Sequence, residues 1–206
     1  MVIFSMKEVK LILFLGIDPS TTNTGLAVVD ENKTVYYVGD LKGKADSPDF
    51  FYDLYAQIET ILMNFDITAI AVEDQFMSNN ADTLKKLARV SGIVLTLAGK
   101  FNLPCYLQIP AAWRKYWVKE SGILPYDPKD SYKKKNAYSK FECFYVLQLY
   151  FQDYLSNFKK HNDIADALGI AWSCSQIFLE GGLHTKEKKK RAKKKTNKKK
   201  ATKEKS

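Results

Sequence analysis

The sequence predicts an α/β protein built on a five-stranded mixed sheet, three antiparallel strands then two parallel ones, flanked by helices. Three observations predict it. The run LILFLGI at 11–17 is apolar at consecutive positions, as in a central strand covered on both faces. AIAVED at 69–74 repeats that pattern, and both runs end in acid, at Asp18 and at Glu73 with Asp74. Segments with helical spacing separate and follow the later strands, giving the order strand, strand, strand, helix, strand, helix, strand, helix.

Strand one is expected at 11–18, with Pro19 unable to continue a central ladder. Ser20, Thr21, Thr22, Asn23 and Thr24 form a polar loop before strand two at 25–31. Asn32 and Lys33 make a tight turn into strand three at 34–41, so these three strands read as an antiparallel meander. A helix over 49–65 places Phe51, Leu54, Tyr55, Ile58, Leu62 and Phe65 on one face. A second, from Ala81 to about Asn102, has Asn80 as cap and Asp82 in its first turn. Its expected apolar face is Leu84, Leu87, Ala88, Ser91, Leu95 and Ala98. Strand five is CYLQIP, followed by a short helix from Ala111 to Glu120 that carries Trp113, Arg114, Lys115 and Trp117. A loop through Gly122, Pro125 and Pro128 leads to helices expected at 138–157 and 162–180, the last ended by Gly181 and Gly182. Residues 1–10 are a leader, 11–182 one domain, and 183–206 a lysine-rich tail too low in complexity to bury a core.

Charge is unevenly distributed. The net charge is +9 over 206 residues, but 183–206 hold 13 of the 32 basic residues and 2 of the 23 acidic ones, leaving −2 for the rest. Any polyanion gripped by the folded part is therefore gripped by local patches. Cys105, Cys143 and Cys174 are widely spaced with no CxxC pair, which points to reduced thiols inside a cell and away from a disulfide framework or a zinc site. Lys7 and Lys10 before LILFLGI imitate a signal peptide, but the run is short, Asp18 and Pro19 follow, and no small-residue cleavage site is present. No window approaches the length of a membrane span.

The acids carry the chemistry. A right-handed parallel crossover lays strand four beside strand one, bringing Asp18 and Glu73 to one edge of the sheet. Asp163 and Asp166, in HNDIADALGIAW, are three residues apart and share a helix face near its N-terminus. Four crowded carboxylates repel and raise one another's pKa values unless hard cations lie between them. Oxygen ligands without a His or Cys cluster suit Mg²⁺ or Mn²⁺. Two such ions about 4 Å apart serve phosphodiester hydrolysis, one activating water and one stabilising the leaving oxygen. A metal-dependent nuclease follows before any family is named.

Three blocks, GIDPSTTNTG, VEDQFMSNNADTLKKLARVSG and HNDIADALGIAW, resemble in order and spacing the signature blocks of the RuvC family of Holliday junction resolvases, over about residues 11–180. The resemblance implies a ribonuclease H-like fold, with Asp18, Glu73, Asp163 and Asp166 as metal-binding catalytic acids. It implies a Mg²⁺-dependent homodimer that nicks two opposed strands of a four-way DNA junction, acting in recombination and repair. Phe76 resembles the family's base-stacking aromatic, and the alternative is that it caps the core. Lys133, Lys134 and Lys135 lie where the family carries a functional lysine, and Arg114 with Lys115 resembles a second basic site. These five are DNA-binding candidates, with a solvated charge run as the duller reading. The helix from Ala81 resembles the family's dimer helix, although its apolar face could equally cover its own sheet.

Two departures stand out. SGILPYDPKDSY is longer and richer in proline than the corresponding family loop, and Ser20 replaces a common glycine. His161 reads as a cap or surface residue. The tail fits a salt-sensitive, sequence-blind tether for nucleic acid. It also resembles a nuclear localisation signal, so the expected location is a bacterial cytoplasm or nucleoid, an infected host, or a nucleus; a phage or viral member fits as well. Competing functions are a broader nuclease of branched DNA or RNA–DNA hybrids, an actin-like ATPase lobe whose phosphate loop resembles GIDPSTTNTG, and a non-catalytic DNA-binding module. The ATPase pattern needs two lobes and does not account for Asp163 and Asp166.

Overall fold

The computed structural model describes residues 11–74, 80–125 and 138–181. The leader, Phe76, Lys133 to Lys135 and the tail from 183 lie outside the described residues. The chain divides after Ser175 into two units, Met1–Ser175 and Gln176–Ser206. In the second, the described residues carry the final helix to Leu179 and a turn at Gly181, whose φ is 88°.

Strands β1 (Leu13–Asp18), β2 (Asn23–Asp30) and β3 (Val35–Lys42) form the expected meander. β4 (Ile67–Glu73) lies parallel to β1, and β5 (Cys105–Gln108) parallel to β4, giving the order β3-β2-β1-β4-β5. The turn between β2 and β3 holds because Asp30 accepts from the amides of Asn32 and Thr34, while Lys33 takes the left-handed conformation at φ 72°.

Helices α1 (Pro48–Asn64) and α2 (Ala81–Lys100) cover one face of the sheet. Leu13, Leu15, Ile17, Ile70 and Val72 meet Leu54, Ile58, Val90, Val94 and Leu97 there. Ser47 caps α1 through the Phe50 amide, and Asn80 caps α2 through Asp82 and Thr83. The buried face of α2 is Leu87, Val90, Val94, Leu97 and Ala98, rotated from the expected one, with Leu95 and Ala88 exposed. The β-branched Val90 and Val94 win the sheet because their compact side chains fit against a pleated surface.

The other face, by strand alternation, carries Phe14, Gly16 and Asp18 on β1 and Ala69, Ala71 and Glu73 on β4. Against it lies α5 (Phe158–Leu179), with α3 (Pro110–Ser121) and α4 (Lys140–Tyr150) packed beside it. A Cβ on Gly16 would fall inside contact distance of the Ala167 carbonyl oxygen and the Ala171 nitrogen, and one on Gly25 would strike the Asp163 carbonyl. The Trp117 indole donates to the Gly169 carbonyl at 3.1 Å.

Most boundaries fall within two residues of expectation, and three differ for a readable reason. Strand five stops at Gln108 because Pro110 opens α3 at its first position. The helix expected to reach 157 ends at Tyr150, and Phe151 and Leu155 enter the core from a turn, although their spacing reads as helical. Helix α5 starts four residues earlier than 162, where Asn157 Oδ1 accepts from the Lys159 amide. No helix among the described residues is long and apolar enough to cross a membrane, and Cys105, Cys143 and Cys174 are free.

Gly16→Ala is expected to destabilise the protein by about 1–3 kcal/mol, because the methyl group must push two backbones apart. Urea unfolding with an unchanged slope and a lowered midpoint checks this. A wild-type midpoint would mean that α5 does not approach β1 so closely.

Candidate metal centre

Asp18 is the last residue of β1 and Glu73 the last of β4, and because these strands are parallel neighbours, both acids leave the sheet at the same end. Asp166 arrives from α5. One carboxylate oxygen from each of the three lies within 4.8 Å of the others. Asp18 and Asp166 are buried, and Glu73 is partly buried.

Asp163, one turn earlier on α5, is held at the edge of this group. Its Oδ2 accepts from Asn23 Nδ2 at 2.8 Å, and its Oδ1 lies 3.4 Å from Lys140 Nζ. The same ammonium is 3.1 Å from Asp166 and 3.8 Å from Asp18, so one cation bridges three of the four acids. Glu73 is oriented by the Trp113 indole, which donates to Oε2 at 2.8 Å. Arg114 Nη2 stands 3.5 Å from Asp166. The Ser20 hydroxyl accepts from the amides of Thr22 and Asn23, which stabilises the turn after Asp18 where a glycine would leave it freer.

The electrostatics follow from burial. Desolvation, then the charges of Asp166 and Glu73, push the Asp18 carboxyl well above the usual carboxylate range. Burial raises Glu73 against the hydrogen bond from Trp113, and raises Asp166 against Lys140 and Arg114. Burial disfavours the Lys140 ammonium, but Asp166, Asp18 and Asp163 outweigh it and hold its pKa above the ordinary lysine value. Buried carboxylate oxygens with strained protonation equilibria and no soft ligand fit a hard divalent cation, which Asp18, Glu73 and Asp166 could hold with Asp163 beside them.

The basic candidates separate. Arg114 is turned towards the acids, with its guanidinium 4.9 Å from the Trp113 ring and its Nε buried without a hydrogen-bond partner. Lys115, its neighbour, is exposed. Phe76 and Lys133 to Lys135 lie outside the described residues. His161 Nδ1 faces the Ser156 amide at 3.2 Å, as a helix-start contact.

Lys140, Asn23 and Trp113 were not legible as site residues, because their partners lie 23 to 140 positions away in Asp163, Asp166, Asp18 and Glu73, where no local pattern joins them. One local signal did exist for Lys140. Ser139 and Glu142 form a capping box, which fixes Lys140 as the first residue of α4 and so at the helix end nearest the acids.

Comparison with known proteins agrees with this geometry. The family model described as crossover junction endodeoxyribonuclease RuvC matches residues 14–112, which include Asp18 and Glu73. RuvC of Vibrio vulnificus (strain CMCP6) is 33% identical over 98 residues, 46% of this chain and 57% of that protein. The chain thus spans little more than half the length of that curated relative. RuvC of Chlorobium chlorochromatii (strain CaD3) is 26% identical over 164 residues, 77% of each protein. Thermus thermophilus RuvC, solved in complex with Holliday junction substrate, shares the fold with a TM-score of 0.62 at 21% identity, covering 82% of this chain and 97% of that one. A second Thermus thermophilus RuvC structure gives 0.61 at 22% identity, with the same coverage. The five-stranded mixed sheet is therefore that of the RuvC structures, a ribonuclease H-like fold, and the chain is similar to the RuvC family over residues 14–112.

Proposed function

We propose that this protein is an endonuclease that resolves four-way DNA junctions by paired, metal-dependent nicks. One observation carries the reading: in a RuvC-type fold, carboxylates from two parallel strand ends and a crossing helix converge on one buried point. Asp18, Glu73 and Asp166, with Asp163, would hold two Mg²⁺ ions, for which Mn²⁺ can substitute. When bound, such ions supply Lewis acidity to the scissile phosphate and to the attacking water.

The chain's own groups do the rest. Trp113 fixes the rotamer of Glu73, and Asn23 fixes that of Asp163, so the ligand oxygens are positioned before substrate arrives. The Lys140 ammonium offsets part of the cluster's charge in the metal-free protein and is proposed to stabilise negative charge developing at a bound phosphate. Arg114 also compensates Asp166, at the same carboxylate oxygen as Lys140, which favours a charge-compensating role for it over a surface phosphate contact. Lys115, Lys133 to Lys135 and Phe76 are proposed to contact DNA around this centre. Nicking two opposed strands requires two centres and hence a homodimer. The exposed Leu95 and Ala88 side of α2 is the surface proposed for it.

The decisive experiment incubates the purified chain with labelled four-way junction, duplex, flap and RNA–DNA hybrid in Mg²⁺. Paired symmetric nicks confined to the junction are expected, and equal cutting of flap or hybrid would favour the broader nuclease. Asp18→Asn should keep junction binding yet slow cleavage by on the order of 100-fold or more, since Lewis-acid stabilisation is worth several kcal/mol.

The raised carboxyls give a signed pH dependence. A folded carboxyl whose pKa exceeds its unfolded value, about 4, contributes stability that is complete below that value and is lost as pH rises through the folded one. The melting temperature of metal-free Asp18→Asn should therefore exceed wild type by more at pH 8 than at pH 5, by about 2–4 °C for each kcal/mol relieved. Mg²⁺ should raise the wild-type value and leave the variant's nearly unchanged. A difference independent of pH would remove the assignment of Asp18 to the cluster.

Deleting 183–206, which hold 13 of the 32 basic residues, should weaken DNA binding and flatten its salt dependence while sparing metal affinity. Unchanged affinity and salt slope in filter binding would remove the tether.

A further inference from the structure

Helix α4 is apolar on two sides, more than a surface helix needs. Cys143, Phe144, Val146 and Leu147 form its buried side. On the other side Phe141, Tyr145 and Leu149 follow at four-residue intervals and are 55%, 49% and 67% exposed. The first two rings are not loose. Phe141 meets Tyr145 at 4.8 Å and Phe158 at 5.3 Å, edge to face, while buried Phe144 meets Tyr145 at 5.6 Å and Phe158 at 5.4 Å. Rings anchored in this way lose little freedom when a partner stacks on them.

Their position is as telling as their exposure. Phe141 directly follows Lys140, whose ammonium touches Asp18, Asp163 and Asp166. Phe158 opens α5, and exposed Lys159 lies four residues before Asp163, on the same side of that helix. Glu142, the one acid of α4, is engaged by the Ser139 amide and hydroxyl. The aromatic surface thus begins one residue from the lysine that contacts the acids, and its flanking charges are Lys140, Lys159 and Lys160 against a single acid, Glu142, which Ser139 engages.

We propose that Phe141 and Tyr145 form a stacking platform for unpaired bases of the DNA strand whose phosphate lies at the carboxylates. The proposal rests on the nuclease reading above. A phosphodiester seated at the acids brings its flanking nucleotide with it, and at a branch point that base has lost its duplex neighbour. Anchored rings supply a sequence-tolerant surface for it, and Lys140 and Lys159 supply the charge for the backbone. Continuity with the acids and the sign of these charges select a nucleic acid over a protein occupant.

The test is binding of a short oligothymidylate and of matched duplex to the full chain in EDTA, where cleavage cannot contribute. Phe141→Ala and Tyr145→Ala should each weaken oligothymidylate binding by about 5- to 100-fold, the range of one base–aromatic stack, with little change for duplex. Phe141→Trp should retain binding. Phe141→Leu, which keeps the apolar contact with Phe158, should lose it, so failure to fold is separable from loss of stacking. 2-Aminopurine next to the scissile phosphate of a junction should be quenched by wild type and not by the double alanine variant. Unchanged affinity in a variant with wild-type melting temperature would overturn the platform. So would a Phe141→Ala protein that loses a self-associated state while binding DNA normally. If wild type binds single strands through these rings but never cuts a junction, the nuclease reading fails and the platform stands.

Discussion

The absence of bulk at the centre of one face of the sheet is the constraint from which the site follows. Gly16 and Ala71 are paired neighbours at the sheet centre, Gly16 also pairs with Ala27, and α5 meets them with Ala167 and Ala171. A helix resting on larger side chains would stand farther off, and Asp166 would miss Asp18 and Glu73. The apolar, branched residues go to the opposite face, where α1 and α2 supply most of the buried hydrophobic contact. The two faces therefore divide the work between cohesion and close approach.

Bringing acids together in a dry place creates a cost that the neighbouring helices offset. Lys140 from α4 and Arg114 from α3 are both directed at Asp166, and Trp113 donates to Glu73. Removing one partner of such a buried group is more damaging than the net worth of the pair suggests, because the remaining charge stays desolvated. The helices beside α5 are thus part of the site's electrostatics as well as its walls.

Much of this was legible in the sequence, and the reasons for the rest are physical. Continuous apolar runs ending in Asp18 and Glu73 announced two buried parallel strands, and the crossover rule placed them side by side. The pairing of Asp163 with Asp166 followed from helix periodicity alone. The face of α2 was misread because Leu84, Leu87, Ser91 and Leu95 also make a plausible stripe, and tertiary packing selected Val90 and Val94 instead. The helix end at Tyr150 was hidden because Phe151 and Leu155 have helical spacing without helical backbone. Lys140 among the acids could not be read from periodicity, since what places it is the stacking of three helices from separate parts of the chain.

The built-in ammonium gives the centre a further property. Lys140 already occupies the electrostatic role that an inorganic ion would fill, so the pocket is held in shape before any ion arrives. A cation entering there would displace part of an existing attraction instead of filling an empty well, and its net gain would be smaller by that amount. A neutral side chain at this position would leave Asp18, Asp163 and Asp166 facing one another without that ammonium, so the shape of the empty pocket and its appetite for an ion are opposed through a single residue.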